Sequence, residues 1–192
     1  MLTLRCTQRL MRHLDVKPTP EAGDGSEALL GAWYANLIGT DAGPVILCVN
    51  EHTRYVIPFQ LDPRSEEEVH SLYVQLVWRI HEAMRLRNVE PDIVTQVTDE
   101  YRGGMLIAPT ASRSVLGTLN DMAMQLKYRI TDAADNREPV NLEAMEQKLN
   151  QTPILPMKGA NPGEMLLERC AAQQSNSRLC RDSPVDCRPA RC

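Results

Sequence analysis

Apolar and polar positions alternate from the first residues, with Leu2, Leu4 and Cys6 set against Thr3, Arg5 and Thr7. That two-residue period is the signature of a half-buried strand. Thr7 can then cap a short helix over residues 8–14, with Leu10, Met11 and Leu14 on one face. The Pro- and Gly-rich stretch 17–25 reads as a loop. Over residues 27–38, Leu29, Leu30, Trp33, Leu37 and Ile38 fall at helical spacings and predict a helix running through Gly31. Two β-branched runs, 45–49 and 54–60, predict a hairpin turned at Asn50–Thr53, and Pro58 marks the second run as an edge strand or its end.

The clearest helix is predicted over residues 65–87. Ser65 and Glu68 form a capping box, and Val69, Leu72, Tyr73, Leu76, Val77, Ile80 and Met84 make one apolar stripe. Trp78 lies about 180° from the start of that stripe, with Val74 on its side, so either a second element covers this pair or it is a partner surface. Pro91 opens a helix through Ile93, Val94, Val97 and Tyr101, which Gly103-Gly104 ends before a strand at 105–108. A polar loop then leads into a second strong helix carrying Val115, Leu119, Met122, Ala123, Leu126 and Ile130, and Asn141 caps a last short one over 142–149. With no repeat and no regular βαβ alternation, the expected class is α+β: a small, largely antiparallel sheet packed by several helices.

Length and composition narrow this further. The 192 residues suit one domain, expected over 1–165, and 43% hydrophobic with 24% charged residues is ordinary globular usage. Residues 166–192 read as a disordered Cys- and Arg-containing tail, since Cys170, Cys180, Cys187 and Cys192 crowd the end instead of spreading as a disulfide framework would. The net charge of −4 divides into −6 before residue 170 and +2 after it. An acidic domain lacks the footprint of a nucleic-acid binder. No apolar run reaches the roughly 20 residues of a membrane span, and no signal-peptide core is evident, so a soluble, cytoplasmic protein is expected, with no membrane partner.

Four short motifs resemble a bacterial family of domain-of-unknown-function proteins: Arg5-Cys6-Thr7-Gln8-x-Leu10, Trp33-Tyr34-Ala35-Asn36-Leu37, Val49-Asn50-Glu51-x-Thr53 and Arg113-Ser114-Val115-Leu116-Gly117-x-x-Asn120-Asp121. The resemblance runs over roughly residues 1–150 in that order. It implies one compact domain in a bacterial cytoplasm and brings no activity with it.

Candidate chemistry centres on the loop before Val115. A strand–loop–helix junction offers free N–H groups and a positive helix end, to which Thr110, Ser112 and Ser114 add hydroxyls and Arg113 a guanidinium, with Asn120 nearby. The plainer reading gives one hydroxyl the task of capping the helix and Gly117 that of admitting a close neighbour. No P-loop, nucleophile elbow or zinc spacing occurs, so no metal or cofactor is expected, and the sequence assigns no catalytic residue. The basic residues Arg5, Arg9, Arg12, His13 and Lys17 lack aromatic stacking partners and read as a solvated face. The function expected is that of a non-enzymatic interaction or regulatory protein with a protein partner. The alternative is an enzyme or sensor for a small phosphate- or carboxylate-bearing ligand at the Thr110–Ser114 loop. A second alternative is nucleic-acid binding through the N-terminal basic face.

Overall fold

The computed structural model describes residues 1–20, 28–60, 68–154 and 159–182, with side chains to residue 174. In chain order the elements are β1 (Leu2–Cys6), α1 (Gln8–His13), β2 (Trp33–Thr40), β3 (Gly43–Asn50), β4 (Val56–Phe59), α2 (Glu68–Leu86), α3 (Pro91–Tyr101), β5 (Met105–Pro109), α4 (Arg113–Asp135), α5 (Leu142–Asn150) and α6 (Pro162–Asp182). The five strands form one sheet in the order β4-β3-β2-β1-β5. β2, β3 and β4 are antiparallel, with Trp33 opposite Asn50 and Ile46 opposite Phe59. β1 instead lies parallel to both β2 and β5, so the sheet is mixed, and its antiparallel β2-β3-β4 part is compatible with the largely antiparallel sheet expected. α1 lies between β1 and β2, and α2 and α3 lie between β4 and β5, whereas β2, β3 and β4 follow one another through turns.

Both faces are covered. On one, Leu4, Cys6, Trp33, Ala35, Cys48 and Ile57 pack with Leu72, Leu76 and Ile80 of α2, Val97 and Tyr101 of α3, and Leu166 of α6. On the other, Tyr34, Ile38, Leu47, Val49 and Val56 pack with Val115, Leu119, Met122 and Leu126 of α4 and with Met145 and Leu149 of α5. The result is a three-layer α+β protein.

The helix expected over 27–38 is corrected to a turn followed by β2. Its central place in the sheet explains the misreading. Trp33, Ala35 and Leu37 face one helical layer while Tyr34 and Ile38 face the other, so the strand is apolar on both sides and loses its alternation. Gly31 turns the chain at φ +72°, where a Cβ would meet the His52 ring at 2.6 Å. The boundary expected near residue 165 falls inside α6, whose Leu166 and Cys170 are buried in the core. Cys170 is therefore a packed thiol and not a tail residue, and burial pushes it up to about 11. Ser65 and its capping box lie outside the described residues. The stripe of α2 packs inward as expected, and Thr7, Ser112 and Asn141 cap α1, α4 and α5 through their side-chain oxygens.

Candidate functional site

Beside the β4 edge, α2, α5 and α6 enclose a cleft of about 550 Å³. Each helix contributes one stripe at helical spacing: Trp78, Arg79, Glu82, Ala83, Leu86 and Arg87 from α2, Glu143, Glu146, Gln147 and Asn150 from α5, and Glu164 and Leu167 from α6. Its volume is that of a pocket able to hold a small molecule or a few residues of a peptide.

The floor is polar and satisfied. Arg79 makes a hydrogen-bonded ion pair with Glu146 and reaches Glu143 at 3.0 Å. The Tyr55 hydroxyl donates to the other Glu146 oxygen at 3.1 Å. Arg87 stacks over the Tyr55 ring at 4.7 Å and donates to the Ala83 carbonyl. Burial raises the Glu146 carboxyl above the usual range, and Arg79 opposes this without cancelling it. Burial, followed by the Glu146 charge, likewise raises the Tyr55 phenol. Asn150, fully buried, accepts from the Val56 N–H and donates to the Val56 carbonyl, both at 2.8 Å. It thus pairs with edge strand β4 as another strand would.

The mouth differs from the floor. Trp78 is 54% exposed and Leu86 63%, with Leu167 across from them, while Val74, one turn before Trp78, continues the apolar strip beyond the cleft. Of these residues the sequence singled out Val74 and Trp78. It could not single out Tyr55, Glu146 or Asn150, because their roles depend on α5 meeting β4.

The loop before α4 is arranged otherwise. Ser112 is the cap, its oxygen accepting from the Val115 N–H, and its own N–H donates to the Tyr34 hydroxyl at 3.2 Å. Ser114 accepts from Arg54 at 3.3 Å, and Arg5 donates to the Pro109 carbonyl at 3.2 Å. Thr110 is half-buried, whereas Arg113 and Asn120 are exposed along α4. Gly117 admits no close neighbour among the described residues, since a Cβ there meets nothing within 4 Å. Arg5 is buried in the sheet and leaves the basic face, where Arg9, Arg12, His13 and Lys17 stay exposed.

The other motif residues build the frame around this loop. Asn50 accepts from Thr53 and donates to the Leu30 carbonyl, fixing the hairpin, and Thr7 donates to Asn36. Glu51 accepts from the Ala32 N–H. The four motifs therefore gather where β1, β2, the hairpin and the start of α4 meet.

Fold and cleft together define a three-layer α+β protein whose sheet edge carries a ligand-sized cleft with a satisfied ionic floor. Residues 3–165 match the family described as "Domain of unknown function (DUF6933)", and the chain belongs to that family. Comparison with curated proteins gives no match.

Proposed function

We propose that this is a non-enzymatic interaction protein that takes a segment of a partner protein into the cleft between α2, α5 and α6. The observation that carries this reading is Trp78, half-exposed at the mouth of a cleft of about 550 Å³. A large aromatic side chain left open beside a concavity is the usual anchor of a protein contact. The floor argues for binding over catalysis, because the raised carboxyl of Glu146 is already held by Arg79 and Tyr55. The lining holds two arginines against four glutamates, so the complementary segment has an apolar anchor flanked by Lys or Arg.

Tryptophan emission tests this directly, since Trp33 is buried and Trp78 is not. Peptides with an apolar residue between basic ones are expected to shift the emission in a salt-sensitive way. The shift should vanish in Trp78→Ala and be weak for acidic counterparts. Absence of any shift at low salt overturns the reading.

A second reading is favoured by the two further arginines beside the Thr110–Ser114 loop, Arg5 through Pro109 and Arg54 through Ser114. With Arg113 they surround the start of α4 with positive charge suited to a phosphate or carboxylate. A thermal-shift series with phosphates and carboxylates checks it. It requires a rise in melting temperature that Arg113→Ala removes.

A further inference from the structure

We propose that the outer face of α4 is the docking surface for a second copy of this chain, the two α4 helices crossing antiparallel about a two-fold axis at Met124. Met124 and Tyr128 are 68% and 73% exposed, more than any other large apolar side chain among the described residues. They stand one turn apart and border a depression of about 400 Å³ with Gln125 and Arg129. Two turns earlier on the same face, Gly117 has open space where a Cβ would stand, so another helix can approach its backbone.

The order of charges selects a second copy as the occupant. Arg113 opens the helix, Asp121 and Lys127 lie three residues either side of Met124, and Asp135 closes it. All four are exposed. In an antiparallel crossing centred on Met124, Arg113 stands level with Asp135 of the second copy, and Asp121 with Lys127. Gly117 comes level with Thr131, and Met124 meets its own equivalent. A parallel crossing would instead set Arg113 on Arg113 and Asp135 on Asp135. The antiparallel one also opposes the two helix dipoles. It is isologous, each patch serving as its own complement, which is the commonest form of a homodimer interface.

The length of α4, 23 residues or about 34 Å, sets the strength. A contact confined to one helix pair falls near the lower bound of about 1,200 Å² for specific interfaces. The dimer is therefore concentration-dependent.

Sedimentation equilibrium across a concentration series tests the proposal on the full chain. The wild type is expected to pass from monomer to dimer. Met124→Glu brings two like charges together on the axis and should raise the dissociation constant at least about tenfold. Arg113→Asp should weaken the dimer, and adding Asp135→Arg to the same chain should restore it. Met124→Cys, placed in a chain with Cys180, Cys187 and Cys192 changed to Ser, should give a symmetric disulfide dimer with diamide, whereas Lys148→Cys in that background should not. Arg113, Met124, Asp135 and Lys148 are exposed, so the unfolding midpoint of variants at these four positions should stay at the wild-type value and confirm a folded variant. A wild type that is monomeric at every concentration overturns the proposal. So does a dimer that neither Met124→Glu nor the charge reversal changes.

Discussion

α2 and α4 are built on the same plan, and their outer faces behave differently. Each is a long amphipathic helix whose apolar stripe covers one face of the sheet. Each also leaves an apolar pair one turn apart on its outer side, Val74 with Trp78 and Met124 with Tyr128. Beside Trp78 the surface falls into a cleft because α5 and α6 rise on its far side, and the floor is lined with paired charges. Around Met124 and Tyr128 it is shallow, and the charges are spread along the helix. An exposed aromatic on a helix thus acquires its meaning from what stands beside it. A cleft wall suits a segment of another protein, and an open ridge suits another ridge.

The ionic floor of the cleft carries the largest expected effect. Arg79→Met leaves Glu146 buried without its main counter-charge, and urea unfolding should show a loss of about 3 kcal/mol at neutral pH. Burial raises the Glu146 carboxyl in the folded state, so over the range from the ordinary carboxylate value upward the folded chain holds a proton that the unfolded chain has lost. Stability in the wild type therefore falls as pH rises through that window. Without Arg79 the carboxyl rises further, so the deficit of the variant should be largest at neutral pH and shrink as the solution is acidified. Leu119→Ala, in the apolar layer beneath α4, should cost about as much, ~3 kcal/mol, with no such dependence. Parallel pH profiles for the two variants would contradict the distinction.

A smaller effect is expected at the cleft wall. Asn150→Ala removes the amide that pairs with both backbone groups of Val56 and orphans them at a buried strand edge. The expected cost is about 2 kcal/mol, with faster hydrogen exchange at the Val56 amide and little change at Val49 on the neighbouring strand.

How much of this could be read in the sequence follows from the range of each interaction. Caps and stripes are local, so Thr7, Ser112 and Asn141 and the inward face of α2 are legible from spacing alone. β2 is not, because a strand buried on both faces carries no alternation. Val74 and Trp78 are legible as residues off the stripe, yet the cleft beside Trp78 is not, since Glu146 and Asn150 look like ordinary polar positions until α5 is placed against β4. The same holds for Cys170. It sits among tail cysteines in the sequence and becomes a core residue only because α6 continues past residue 165.

The smallest expected change in stability bears most directly on function. Trp78 and Tyr128 are both more than half exposed, so alanine at either should move the unfolding free energy by no more than about 0.5 kcal/mol. The two variants should nevertheless separate in solution. Trp78→Ala should abolish the emission change with basic apolar peptides and leave the monomer–dimer equilibrium untouched. Tyr128→Ala should weaken self-association and leave peptide binding unchanged. If one substitution disturbs both readouts, the two faces are energetically coupled. In that case a partner segment in the cleft is sensed at α4, through the α5 helix that packs against both.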